Sequence, residues 1–177
     1  MTRLLVLGML DIKPMSGYDI QQMLRLSDAE RWGGVLIGSI YHALKKLEEE
    51  GYIRILNIEH TGHRQKATYE ITEAGQGHLK ELIRDSLGEL SVQYPSTLYS
   101  GLSCYSMLPK GEAAKALQKQ QEKLKQEYAG IQRGWEEKNK ALSNMIPPMV
   151  QLIFDHMFAS IRLQQELVEK AMQLLNE

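Results

Sequence analysis

The sequence predicts a mainly α-helical chain with one small β-hairpin, divided into two parts of different texture. The first ~75 residues hold most of the glycines and the only alternating strand pattern. The remainder repeats apolar residues at helical spacing over long stretches. With 177 residues, 43% hydrophobic and 24% charged, the chain has the composition of an ordinary globular protein of one domain or two small ones. Disordered and collagen-like chains are excluded.

Charge says little at the level of the whole chain. Lys and Arg number 21 against 22 Asp and Glu, a formal charge of −1, so nucleic-acid binding would have to come from local clustering. One cysteine, Cys104, excludes a disulfide framework and a four-cysteine zinc site, and a reducing, cytoplasmic location is expected. Cys104 itself, on a mostly apolar segment, is expected to be a small buried hydrophobe. The apolar start Leu4–Leu10 is read as a first helix and not a signal peptide. Asp11 and Lys13 follow at once, and no small-x-small cleavage site is present. No stretch reaches ~18 uninterrupted apolar residues, so a soluble protein without membrane contact is expected.

Leu4, Leu5, Leu7 and Ile12 suit the first helix, which Lys13-Pro14 stops because the residue before proline avoids the α region. Ser16 caps a second helix, with Asp19 in its first turn, where the helix dipole favours negative charge. Tyr18, Ile20, Met23 and Leu24 give it an apolar stripe, and Gly33-Gly34 marks a break. A third helix runs from about Ile37 to Glu50, ended by Gly51. Ile40, Leu44 and Leu47 share one face and must be buried. That spacing turns Ser39, His42, Lys45 and Lys46 outward, with Tyr41 at the flank.

Residues 52–58 and 67–71 are β-branched and aromatic-rich, and the second run alternates with period two. Between them His60-Thr61-Gly62-His63-Arg64-Gln65-Lys66 is polar and basic, the exposed tip of a hairpin. Thr72 caps the next helix. Three helices and a basic hairpin make the winged helix-turn-helix plan. The third helix suits a major groove, and the hairpin cations suit phosphates. The expected DNA contacts are Tyr18, Ser39, Tyr41, His42, Lys45, Lys46, His63, Arg64 and Lys66. Residues 1–72 contain as many acidic as basic residues, which keeps a second reading in play: a winged helix serving protein contacts without DNA.

Three blocks in this order and spacing resemble the PadR-like transcriptional regulators. They are Met15-Ser16-Gly17-Tyr18-Asp19-Ile20, the run from Gly38-Ser39-Ile40-Tyr41-His42 to Glu50-Gly51-Tyr52-Ile53, and Tyr69-Glu70-Ile71-Thr72-Glu73-Ala74-Gly75. The resemblance covers the first ~75 residues; beyond them it is one of plan. The sequence departs from the family's usual pattern at Ser16, where His is frequent, and at His42, where Pro is frequent. A role for His42 therefore belongs to this sequence alone. The resemblance implies a cytoplasmic, dimeric repressor on double-stranded DNA with a near-palindromic operator, released by a small aromatic or hydrophobic effector.

In the second part, Leu79, Leu82, Ile83, Leu87 and Leu90 form one stripe, on a helix running to about Gln93 and ended by Tyr94-Pro95. Ser96 is expected to cap a short helix. From Glu112 to about Leu142, Tyr128, Trp135 and Leu142 repeat every seven residues, as do Leu117, Leu124 and Ile131, with Gln121 and Lys138 interrupting. After Pro147-Pro148 the last helix is broadly apolar, through Phe154, Met157, Phe158 and Ile161 among others. Leu117, Leu124, Tyr128, Ile131, Trp135, Phe154, Met157, Phe158 and Ile161 are therefore expected at a homodimer interface, the alternative being an intrachain helical pair. The expected organisation is a winged helix-turn-helix domain at 1–75, connecting helices at 76–108 and a helical, effector-responsive dimerisation domain at 109–177.

No phosphate loop, nucleophile elbow or triad is present, so no enzyme, cofactor or metal is expected. His60 and His63 near Glu59 make no closed ligand set, and Asp155-His156 is read as a polar helix position. Trp32, Trp135, Tyr18, Tyr94, Tyr99 and Tyr105 suit a small aromatic ligand, but each also suits a core, and no effector residue is assigned.

Overall fold

The computed structural model describes residues 1–26, 29–61 and 64–175; at 26, 30, 60, 61, 64 and 65 it describes the backbone alone. The chain divides into two compact units, Met1–Ser91 and Val92–Glu177.

The first unit runs α1 (Thr2–Ile12), β1 (Met15–Ser16), α2 (Gly17–Leu26), α3 (Ala29–Gly33), α4 (Ile37–Glu49), β2 (Ile53–Thr61), β3 (Arg64–Ile71) and α5 (Glu73–Gly88). Its core is set by helical spacing. Val6, Leu7 and Leu10 of α1 meet Ile20 and Leu24 of α2 and Ile40, Ala43, Leu44 and Leu47 of α4, all buried. The helix expected from sequence as the third is the fourth in chain order, because the short α3, buried at Ala29, precedes it. Five residues are too few to show a period, which is why the sequence shows only a break there.

The sheet has three strands in the order β1-β3-β2, all antiparallel. Met15 and Ser16 pair with Tyr69 and Thr68, and both are almost fully buried. The two long strands extend further toward the tip than the apolar pattern suggests, with Thr61 opposite Arg64. Between Ile55 and Asn57 the register shifts by one, leaving Leu56 as an extra, exposed residue.

Thr72 caps α5: its Oγ1 accepts from the Gly75 amide at 3.1 Å and donates to the carbonyl of Gly51 at 2.8 Å. Arg3 pairs with Glu50 and lies 5.8 Å over the Tyr52 ring, which stacks on His78 at 4.3 Å. That cluster ties α1, the end of α4 and α5 together. The apolar stripe of α5 is used only at its start. Leu79 is buried, whereas the helix ends at Gly88, short of Gln93, and leaves Leu87 and Leu90 exposed.

The second unit contains α6 (Ser96–Ser103), a 3₁₀ turn (Tyr105–Met107), α7 (Glu112–Ala141) and α8 (Pro148–Leu174). Ser96 is the first helical residue and not the cap; Pro95 takes that place, and the Ser96 hydroxyl donates to the carbonyl of Tyr94. Cys104 is exposed, because it follows α6 as its C-cap and leaves the apolar face. The heptad seam packs α7 against α8. Tyr128 meets Phe158 at 5.0 Å and Trp135 meets Phe154 at 5.1 Å, so the helices run antiparallel. Leu117, Leu124, Ile131, Phe154, Val168 and Ala171 are buried. Ser143 and Asn144, both with positive φ, and then Pro147-Pro148 make the reversal between the two helices. Lys138, half-buried beside this seam, has its pKa lowered by desolvation. Among the described residues no helix is long and apolar enough to cross a membrane.

Candidate nucleic-acid interface

Helix α4 presents a polar face because its other face is fixed. With Ile40, Ala43, Leu44 and Leu47 in the core, His42, Lys45 and Lys46 stand in solvent and Ser39 is half-buried in the first turn. The Ser39 hydroxyl donates to the carbonyl of Leu36 at 2.6 Å. Its lone pairs are what remain for a partner. Tyr41 is half exposed, and its ring rests on the backbone of Gly17, where a Cβ would come within 2.7 Å of the ring carbon Cε1. Gly17 is thus the residue that lets Tyr41 lie at the flank. Tyr18, beside it in the first turn of α2, is exposed.

The cations of this face are paired with acids. Lys46 Nζ lies 2.9 Å from Glu49 Oε2, and Lys45 Nζ lies 3.9 Å from Glu49 Oε1. The hydrogen bond to Glu49 raises the Lys46 pKa, and the same contact lowers that of Glu49. Lys66 Nζ of β3 lies 3.3 Å from Asp19 Oδ2. Asp19 also closes the start of α2: Ser16 Oγ donates to Asp19 Oδ2 at 2.7 Å, the Ser16 amide donates to the same oxygen at 3.2 Å, and Ser16 Oγ accepts from the Asp19 amide at 3.3 Å. Ser16 and then Lys66 hold the Asp19 pKa below its ordinary value. The sequence indicates Ser16 as the cap and Asp19 as a first-turn acid; the structure adds the reciprocal bond from the Ser16 amide to the Asp19 carboxylate. The attachment of Lys66 to the same carboxylate was not legible in the sequence.

Of the wing residues expected to meet DNA, Lys66 is exposed and placed as above. His63 lies outside the described residues, as does the side chain of Arg64. A cross-strand pair that the sequence reading passed over, Arg54 to Glu70 at 2.5 Å, spans β2 and β3 at directly opposed positions. Of the nine side chains expected at a dimer interface, Leu117, Leu124, Ile131 and Phe154 are buried within their own chain. Tyr128, Trp135, Met157, Phe158 and Ile161 are half-buried. Among the described residues, no group of three or more His, Cys, Asp or Glu is placed to hold a metal ion.

Residues 6–81 match the model of the transcriptional regulator PadR-like family. None of the curated proteins matches the sequence. Several solved structures have the same fold over nearly the whole chain. Bacillus subtilis PadR in complex with operator DNA is 23% identical with a TM-score of 0.72, covering 98% of each chain. The same protein in complex with p-coumaric acid is 21% identical with a TM-score of 0.74, covering 99% of this chain and 98% of the other. The PadR-like transcriptional regulator BC1756 from Bacillus cereus is 23% identical with a TM-score of 0.74, covering 99% and 98%. The Vibrio cholerae virulence activator AphA is 18% identical with a TM-score of 0.73, over the same shares. At these identities the likeness establishes the fold, winged helix and helical arm together.

Proposed function

We propose that this chain is a dimeric, sequence-specific DNA-binding repressor, acting in the cytoplasm and released from a near-palindromic operator by a small-molecule effector, a reading supported by the match of residues 6–81 to the model of the transcriptional regulator PadR-like family. The observation that carries the reading is the outward face of α4: Ser39, His42, Lys45 and Lys46, held rigidly by four buried apolar residues on the opposite side.

The roles divide by chemistry. Lys45 and Lys46, toward the C-terminal half of α4, take phosphates and fix the register. Ser39, in the first turn, meets base edges. With its proton committed to Leu36, it reads an amino group, the donor on cytosine or adenine. His42 stands one turn further on and donates to a base or a phosphate. Tyr18 and Tyr41 flank the groove from α2 and α4, and Lys66 follows the neighbouring backbone; Arg64 and His63 are assigned the same role from the sequence alone.

Two copies join through the α7–α8 arm. Tyr128, Trp135, Met157, Phe158 and Ile161, each half-buried, contribute to that contact over the buried support of Leu117, Leu124, Ile131 and Phe154. Met149, Leu152, Ile153 and Leu163 add an apolar stripe on α8 that the intrachain pair leaves exposed. Support for an effector comes from the solved B. subtilis PadR, which holds p-coumaric acid in one structure and operator DNA in another.

The pairing of Lys45 and Lys46 with Glu49, and of Lys66 with Asp19, keeps the second reading worth testing: a winged helix for protein contacts only. Fluorescence anisotropy of a duplex from upstream of the protein's own gene, titrated at several salt concentrations, decides between them. DNA binding through phosphates weakens with a log–log slope of about 0.9 per neutralised phosphate. Ser39→Ala and His42→Ala should each lower operator affinity by roughly 1–3 kcal/mol and affinity for scrambled duplex much less. Absence of salt-dependent binding to either duplex leaves the protein-contact reading.

A further inference from the structure

The second unit contains a cavity that neither DNA contact nor the α7–α8 seam requires. It opens among the segment 94–97, α6, the start of α7 and the end of α8, with a volume of about 570 Å³. Small-molecule sites fall between roughly 300 and 1,000 Å³, so it has the right size. Leu98, Leu102 and Leu117 form apolar wall, and Tyr105 and Gln120 bring polar atoms to it. Among the described residues, neither the Tyr105 hydroxyl nor the Gln120 amide is engaged in a hydrogen bond, whereas the Ser96 hydroxyl of the same wall is occupied by the carbonyl of Tyr94.

The lining has one chemical property that selects a ligand: among the described residues it contains no Lys, Arg, His, Asp or Glu. An anion placed there would lose water and gain no counter-charge, which burial of a charge penalises heavily. One cation, Lys170, stands on an adjoining surface. It lines a separate cleft of about 250 Å³ that shares Leu102, Tyr105 and Leu175 with the cavity.

We propose that this cavity binds a small neutral compound with an aromatic or aliphatic body and one hydrogen-bonding group, which Gln120 and Tyr105 receive. As the site for the effector posited above, it rests on that reading for any consequence on DNA, though not for binding itself.

Two positions allow the cavity to be filled without breaking the fold. A Cβ on Gly101 meets nothing within 4 Å, and Gly101 lines the cavity, so a larger side chain there stands at the cavity wall without displacing a neighbour. Ala116 lines it from the exposed side of α7. Both lie inside helices that favour Leu or Phe over Gly, or tolerate them in place of Ala.

The test is calorimetric titration of the full chain with a matched pair of probes, methyl p-coumarate and p-coumarate, at pH 7.5. The two share ring and length and differ in charge. The ester should bind at least tenfold more tightly than the anion. Gly101→Leu and Ala116→Phe should each weaken ester binding tenfold or more while the melting transition and ligand-free DNA binding are kept, and Lys170→Ala should leave ester binding unchanged. Equal or tighter binding of the anion, loss of binding in Lys170→Ala, ester binding indifferent to both filling variants, or no ester binding at millimolar concentration overturns the proposal. Anisotropy with operator in the presence of the ester separates the two ideas. If the ester enters the cavity and operator affinity stays the same, the site stands and the effector reading fails.

Discussion

Lys46 Nζ sits 2.9 Å from Glu49 Oε2, one helical turn further along α4, and Lys45 approaches the other oxygen of the same carboxylate at 3.9 Å. On the proposed reading, one acid therefore competes with DNA phosphates for both lysines of the outward face of α4. These pairs are exposed, where solvent screens an ion pair and leaves it weak. Glu49→Gln should accordingly raise DNA affinity by up to about fivefold on operator and scrambled duplex alike, read by anisotropy at fixed salt. A gain on operator alone would mean that Glu49 opposes a base contact rather than the backbone.

Lys66 is held by Asp19, and that contact joins the wing to the capped start of α2. Lys66→Ala should flatten the salt slope of DNA binding by about 0.9, the change expected for one phosphate. An unaltered slope would take Lys66 off the contact surface.

The same carboxylate gives the fold an acid-sensitive joint. The folded pKa of Asp19 lies below its ordinary value of 3.8, chiefly through the hydrogen bond from Ser16. A depressed folded pKa contributes stability that is present above 3.8 and is lost as pH falls through the folded value. Asp19→Asn should therefore melt at a lower temperature than the parent at pH 6, and the difference should shrink as the parent is acidified below pH 3.8. Ser16→Ala, which removes the other half of the cap, should cost about 1–2 kcal/mol at neutral pH. Thermal melts of the three proteins across pH 2–7 check both statements.

Gly75 approaches the carbonyl of Tyr52 so closely that a Cβ there would overlap the oxygen, whereas Gly77, two residues on in α5, faces open space. Opposite signs follow for the same substitution. Gly77→Ala should stabilise by about 0.5–1 kcal/mol through helix propensity. Gly75→Ala should destabilise by roughly 1–3 kcal/mol, because α5 must move off Tyr52 and strain the Thr72 cap. Chemical denaturation of both variants gives the comparison directly.

Leu152 and Leu163 are exposed on α8, eleven residues apart on one face. Replacing both by Glu should leave the intrachain α7–α8 pair intact and produce a monomer in sedimentation, with operator affinity reduced more than tenfold. A double variant that remains dimeric would assign the interface to another surface.

Local periodicity was sufficient for much of this protein. The four- and three-residue spacing of Ile40, Leu44 and Leu47 fixed which side of α4 faces outward, since a helix allows only one buried face for that pattern. Thr72 before Glu73 and Gly75 marked the start of α5, and Gly51, at a positive φ, marked the stop after α4. The motif blocks around Gly17, Tyr41 and Gly75 carry a resemblance to the PadR-like family, and they lie within residues 6–81, which match that family's model. Tertiary structure decided what a period cannot encode. β1 is two residues long, and only its pairing with Thr68 and Tyr69 makes it a strand. The heptads of α7 specify an apolar seam without naming the helix that fills it, and the antiparallel reversal at Ser143 and Asn144 gives that place to α8 of the same chain. The attachment of Lys66 to Asp19 and the uncharged wall around Gln120 arise from residues distant in sequence, brought together by packing. Charge placement is set by proximity in space, and helical or strand periodicity carries information only about neighbours along the chain.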